Sequence, residues 1–149
     1  MSDTTTSRQS TPWHLWAVGG VGLLWNGFGA SDFAMTQFGG EAYLRGLGMD
    51  DAAIAYYAAM PWWAMAIWAI GTWGALIGTV LLLLRSKWAL HAFVISFAGF
   101  LLSLVYSYVL STPPDMGGEN MWIMQLVIAA GCVFFIGYAR LMTKRGVLR

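Results

Sequence analysis

Four long apolar stretches dominate the hydrophobic pattern of the chain, and they cover residues 13–35, 61–84, 88–110 and 121–138. A helix that crosses the hydrocarbon core of a bilayer needs about 20 mostly apolar residues. Each stretch is close to that length. Tryptophan favours headgroup depth, and one stands at or near the start of each stretch: Trp13, Trp62, Trp88 and Trp122. The pattern therefore predicts an all-α, polytopic membrane protein with four transmembrane helices in an up-down bundle.

The loop between the first two stretches has a helical pattern of its own. After a break at Gly39–Gly40, residues 41–47 could form a short helix that Gly46 and Gly48 end. Asp50 or Asp51 can then cap a second helix over residues 52–60, because a short carboxylate accepts a hydrogen bond from the first free amides. That helix would present one apolar face. We predict that it lies on the outer leaflet as an interfacial helix; a lid over the bundle is the alternative.

Positive charge sets the expected orientation. Every Lys and Arg except Arg45 falls at one end of the predicted helices: Arg8, Arg85, Lys87, Arg140, Lys144, Arg145 and Arg149. Loops and tails that are rich in Lys and Arg stay in the cytoplasm. We therefore predict a multi-pass protein of the bacterial inner membrane with both termini cytoplasmic. Residues 1–12 would form a disordered cytoplasmic tail, residues 13–142 the membrane domain, and residues 143–149 a basic cytoplasmic tail.

Composition agrees with a membrane protein and argues against several activities. Hydrophobic residues make up 58% of the chain and charged residues only 10%, whereas soluble domains carry about 25% charged residues. One cysteine, Cys132, excludes a disulfide within the chain and a paired-cysteine metal site. The net charge of +1 does not suggest nucleic-acid binding. We find no hydrolytic triad or phosphate-binding loop, and we expect neither an enzyme nor a resident cofactor.

Polar residues inside the apolar stretches mark a candidate site. Burying an unpartnered polar group in hydrocarbon is costly, so these side chains should face a neighbouring helix or a cavity. Because the third helix runs outward and the fourth returns, they share the outer half of the bundle. We predict an outer polar pocket formed by Asn26, Asp32, Ser103, Tyr106, Ser107 and Gln125. The alternatives are structural hydrogen bonds between helices and, for Asp32, a solvated position or an ion pair with Arg45.

Two residue pairs have spacings that allow contact between helices. Gly74 and Gly78 form a GxxxG spacing that permits close helix packing, within the chain or in a dimer. We expect packing within the chain. His14 and His91 fall at the cytoplasmic ends of their helices and could together hold a haem iron. The alternative for each histidine is an ordinary amphipathic position at the interface.

Several short segments carry a family resemblance: residues 13–16 (WHLW), 24–27 (LWNG), 32–37 (DFAMTQ), 61–63 (PWW), 138–140 (YAR) and 144–149 (KRGVLR). Through them the chain resembles a widespread family of small four-helix bacterial inner-membrane proteins, loosely labelled sugar transporters. The resemblance covers nearly all of the chain beyond residue 12. It implies the same four-helix fold, and its label implies solute transport, but it assigns no functional residue.

Three functions fit the sequence. We predict a non-catalytic accessory or interaction subunit of a larger membrane complex, because the chain is small and rich in glycine and aromatic residues. The alternative is a transporter or channel for a small, sugar-like solute, acting as a homo-oligomer with the outer polar pocket as its site. A haem-binding redox subunit that uses His14 and His91 is the third possibility.

Overall fold

All elements of the described chain are helical. The structure is a computed structural model that describes residues 10–111, 113–114 and 121–149. Its helices are α1 (Trp13–Gly46), α2 (Asp51–Ala58), α3 (Trp62–Leu83), α4 (Trp88–Val105, continued by a π-helical turn at Tyr106–Leu110) and α5 (Met121–Lys144). Three segments are long and apolar enough to cross a membrane: Trp62–Leu83, Trp88–Leu110 and Trp122–Lys144. The prediction of an all-α membrane protein is confirmed to that extent.

The helix ends differ from the predicted ones in α1 and α5. In α1 the helix continues past residue 35 to Gly39, and only Gly40 leaves the helical conformation (φ 53°, ψ −138°). The short helix predicted after this glycine break is present and extends α1 to Gly46. In α5 the helix continues past residue 138 to Lys144. Its last turns remain helical because they are amphipathic, with Ala139 and Met142 fully buried and Arg140 exposed.

A second short helix follows, and its cap is one of the two expected aspartates. The side chain of Asp50 accepts a hydrogen bond of 2.8 Å from the amide of Ala53, which starts α2 at Asp51. The helix ends at Ala58, before Pro61 and the start of α3. Tyr56 and Tyr57 of α2 line a cavity between the helices, so this face of α2 points toward the bundle.

The long helices pack with α1 along α3, α3 on α4, and α4 on α5, and α1 also meets α5, where Gly22 faces Phe135 and His14 is hydrogen-bonded to Tyr138. The α3–α4 contact is the closest, because a methyl group placed on Gly99 would lie 2.9 Å from the backbone nitrogen of Gly71. Gly74 and Gly78 lie on this same interface, where they face Ser96 and Phe93 of α4. The GxxxG segment is therefore in contact with a helix of its own chain.

The two ends of the bundle differ in charge and in packing. We call the end that carries Arg85, Lys87, Arg140, Lys144, Arg145 and Arg149 the basic end, and the end that carries Glu41, Arg45, Asp50 and Asp51 the acidic end. At the basic end α1, α3, α4 and α5 share a hydrophobic core that includes Leu15, Leu82, Phe93 and Met142. This core closes the bundle at that end.

The C-terminal segment is part of that core and not a free tail. After a turn at Gly146 (φ 70°), Val147 and Leu148 are buried at 2% and 4% exposure. The amide of Lys87 donates to the carbonyl of Arg149 (2.9 Å), and the amide of Arg149 donates to the carbonyl of Arg85 (2.8 Å). The prediction of a basic tail over residues 143–149 missed this docking, which buries two apolar side chains while the charged ones stay exposed.

Candidate functional site

A cavity of about 510 Å³ lies between the helices and reaches from the acidic end toward the middle of the bundle. Every helix contributes to its wall, and so does Pro113. All of the residues predicted for the outer polar pocket line it: Asn26, Asp32, Ser103, Tyr106, Ser107 and Gln125. The structure thus brings together side chains that are far apart in the sequence, from Asn26 in α1 to Gln125 in α5.

Asn26 borders the cavity and also connects α1 to α3. Its Nδ2 donates to the Oγ1 of Thr79 at 2.8 Å. The Thr79 hydroxyl, which is fully buried, donates in turn to the carbonyl of Ala75 in its own helix at 2.9 Å. The Asn26 amide is therefore partly satisfied by the structure, and it fixes the rotation of α1 on α3.

Asp32 has a different partner from the one considered in the sequence. Arg45 pairs with Glu41 (2.8 Å) and Asp51 (2.7 Å), so the ion pair with Arg45, one of the alternatives for Asp32, is not formed. Instead the hydroxyl of Tyr43 donates to Asp32 Oδ1 at 2.7 Å, although the two residues are 11 apart.

The bend at Gly40 explains the contact between Tyr43 and Asp32. In a straight helix residues 11 apart would be separated by about 16 Å along the axis. The positive φ of Gly40 turns the end of α1 back toward Asp32, a conformation that glycine adopts without steric cost. The hydrogen bond to the carboxylate raises the pKa of the Tyr43 phenol, because the carboxylate stabilises its protonated form.

A π-helical turn at the end of α4 shapes the next part of the wall. The amide of Ser111 bonds to the carbonyl of Tyr106 at 2.9 Å, which is the wide i to i+5 spacing of such a turn. Tyr106 and Ser107 both line the cavity there, and the Ser107 hydroxyl lies 3.4 Å from the Tyr56 hydroxyl of α2. Nothing in the hydrophobic pattern of residues 88–110 indicates this change in helix type.

Four aromatic rings line the cavity near the acidic end, and the sequence analysis did not group them. We call Tyr56, Tyr57, Trp68 and Tyr106 the aromatic collar. Successive ring centroids are 5.8 Å (Trp68 to Tyr57), 5.7 Å (Tyr57 to Tyr56) and 6.4 Å (Tyr56 to Tyr106) apart. Burial, and after it the charge of Asp32, raises the pKa of Tyr57, and Asp32 lines the same cavity. The sequence signal that could have indicated the collar is the pair of adjacent tyrosines, Tyr56 and Tyr57, in the predicted helix of the first loop.

The inner end of the cavity is apolar and closed. Phe93 and Phe135 line it and stack on each other with centroids 5.2 Å apart. Both belong to the core of the basic end. Among the residues that the structure describes, no Lys or Arg lines the cavity, and Asp32 is its one carboxylate.

The two histidines occupy separate environments. His14 is hydrogen-bonded through Nδ1 to the hydroxyl of Tyr138 on α5. His91 is exposed and lies beside Trp88, at a centroid distance of 5.1 Å. No hydrogen bond or ring contact joins the two histidines, and no group of three metal-ligating side chains occurs within the described ranges.

The cavity combines an apolar body, a few polar groups and one negative charge. Concave sites of this composition bind small molecules, with the polar groups fixing orientation.

Comparisons with protein-family models, with curated proteins and with solved structures gave no significant match. We therefore infer function from the cavity and its lining residues.

Proposed function

We propose that this chain is a four-span membrane protein that binds a small solute inside its helix bundle. The supporting observation is the cavity of about 510 Å³ with polar side chains from all five helices, a volume within the range of about 300–1,000 Å³ that is usual for small-molecule sites. An accessory subunit needs no such internal site. The cavity therefore favours the solute-binding alternative over an accessory role.

The packing of α1 on α3 supports a fourth span. Gly19 faces Leu83 at one end of the contact, and Phe33 meets Trp68 at the other, with ring centroids 4.9 Å apart. If α3 crosses the bilayer, the α1 segment beside it lies at the same depth. Two large side chains of that segment are largely exposed and do not line the cavity: Val21 (67% exposed) and Leu24 (78%). Lipid is the solvent that such a surface requires.

The charge distribution supports an orientation with the basic end in the cytoplasm. The cavity would then open toward the periplasm, on the side of Glu41 and Asp51. Solute would enter past the aromatic collar and reach Asn26 and Gln125 at greater depth. We propose the inner membrane of a bacterium as the location, in line with the family resemblance of the chain.

Binding is the primary activity in this proposal, and transport would add a second conformation. The core of the basic end, with Leu15, Leu82 and Met142 at 0% exposure, leaves no path to that side. A transport cycle would have to separate α1 from α5 there, near the contact of His14 with Tyr138. The described conformation corresponds to a site that is open to one side only.

A cavity-filling substitution tests the proposal. Ser103→Phe places a ring in the cavity, whereas Leu102→Phe, the matched control, adds one on the lipid-facing side, where Leu102 is 53% exposed. The purified protein is screened for thermal stabilisation by neutral, cationic and anionic solutes. A ligand at 100 times its Kd stabilises by about 2.7 kcal/mol. We expect this gain in the wild type and in Leu102→Phe, and its loss in Ser103→Phe.

Two results would contradict the proposal. One is the absence of any stabilising solute in a broad panel. The other is a stabilisation that Ser103→Phe retains in full, since the solute would then bind outside the cavity.

A further inference from the structure

We infer that the cavity is selective for organic monocations with an apolar body, such as quaternary ammonium or phosphonium compounds. This inference rests on the proposed function and names its substrate class. It follows from the juxtaposition of Asp32 and the aromatic collar on one cavity wall, in the absence of any Lys or Arg among the described lining residues.

The charge of Asp32 is not neutralised by the residues that the structure describes. Tyr43 donates a hydrogen bond to Oδ1 but brings no positive charge. Arg45, the one cationic side chain in the described part of the acidic end, is paired with Glu41 and Asp51. A carboxylate in a partly buried site without a counter-ion attracts a cation more strongly than it would in water, because the local dielectric is lower.

The aromatic collar adds a second attraction of the same sign. Faces of Trp and Tyr rings carry partial negative charge and bind cations within about 6 Å of the ring centroid. Asp32 and the collar line the same cavity, and Phe33, the residue next to Asp32, meets Trp68 of the collar with ring centroids 4.9 Å apart. A cation held by the carboxylate would therefore lie beside the collar.

The remaining lining favours an apolar body over a sugar. A sugar needs several hydrogen-bonding groups that are free to reach its hydroxyls. The Nδ2 of Asn26 already donates to Thr79, and the Oγ of Ser96 donates to the carbonyl of Gly71 at 2.6 Å. The deep part of the cavity is formed by Phe93 and Phe135. An anion of the same shape would be repelled by Asp32.

The test measures equilibrium binding of labelled tetraphenylphosphonium to the full-length protein in detergent, with empty micelles subtracted. Tetraphenylborate, of nearly the same shape but opposite charge, is the ligand control. We expect saturable binding of the cation only, weakened about tenfold or more in Asp32→Asn. Asp51→Asn, the matched control on an exposed carboxylate paired with Arg45, should bind as the wild type does.

A second variant makes the result independent of how well Asp32→Asn folds. Gln125→Glu keeps the shape of the side chain and adds a negative charge to the same cavity, so cation binding should become about threefold to tenfold tighter. Equal binding in the wild type, Asp32→Asn and Gln125→Glu would overturn the inference, as would equal binding of the borate anion.

The result also separates this inference from the proposed function. If the cation fails to bind while a neutral solute stabilises the wild type but not Ser103→Phe, the cation selectivity is wrong and the solute-binding function stands. If no cationic, neutral or anionic solute binds, both are wrong.

Discussion

Replacing Gly99 by alanine should separate α3 from α4, because the added methyl group has no space. It would lie 2.9 Å from the backbone nitrogen of Gly71 and 3.1 Å from the carbonyl oxygen of Ile67. Both atoms belong to the backbone of α3, so no side-chain rotation relieves the overlap. The helices themselves have to move apart.

The cost has two parts. Overpacking a close contact typically destabilises a protein by about 1–3 kcal/mol. Separation of the helices also stretches the hydrogen bond that Ser96 Oγ donates to the carbonyl of Gly71, which is 2.6 Å long and lies on the same interface. Hydrogen bonds between membrane helices contribute about 0.6 kcal/mol on average. We therefore expect Gly99→Ala to lower the free energy of unfolding by about 2–3 kcal/mol.

Reversible unfolding in mixed micelles, followed by tryptophan fluorescence, measures this loss. Gly137→Ala is the matched control: a methyl group there meets no atom within 4 Å, so its effect should stay within about 0.5 kcal/mol. Gly78→Ala should lie between the two, because its methyl group meets the ring of Phe93 at 2.8 Å and a ring can shift. If Gly99→Ala unfolds like the wild type, the α3–α4 contact described here is incorrect.

Two further predictions concern the anchoring and the topology of α1. Thr79→Val removes the hydrogen-bond acceptor of Asn26 and should lower the free energy of unfolding by about 0.6–1.7 kcal/mol in the same titration. In the control Thr72→Val the lost hydroxyl bonds only to carbonyls of its own helix, so the decrease should be smaller. Equal decreases in the two variants would argue against an anchoring role for the bond between Asn26 and Thr79. In a cysteine-free background, an impermeant maleimide should label Glu41→Cys in cells whose inner membrane is intact, and should label Ser10→Cys only after lysis. Labelling of both variants in intact cells would show that α1 does not cross the membrane.

The members of the outer polar pocket could be predicted because their depth follows from the sequence. A polar residue in an apolar helix has a fixed distance from the helix end, and alternating helix directions give Asp32, Ser107 and Gln125 a common depth. The aromatic collar could not be predicted in this way. Tyr56 and Tyr57 reach the cavity only because α2 lies against the bundle, and Trp68 is one apolar residue among many in its helix.

Sequence by itself determined the helical class, the three strongly apolar helices to within a few residues at most ends, and an aspartate cap for α2 at Asp50 or Asp51, of which the structure uses Asp50. These depend on local quantities: hydrophobic length, aromatic ends and a carboxylate beside free amides. Tertiary structure decided the partner of Asp32, the contact of Gly99 with Gly71, and the docking of Val147 and Leu148. The physical reason is that lipid and protein interior are both apolar, so hydropathy does not distinguish a helix face that meets another helix from one that meets the bilayer.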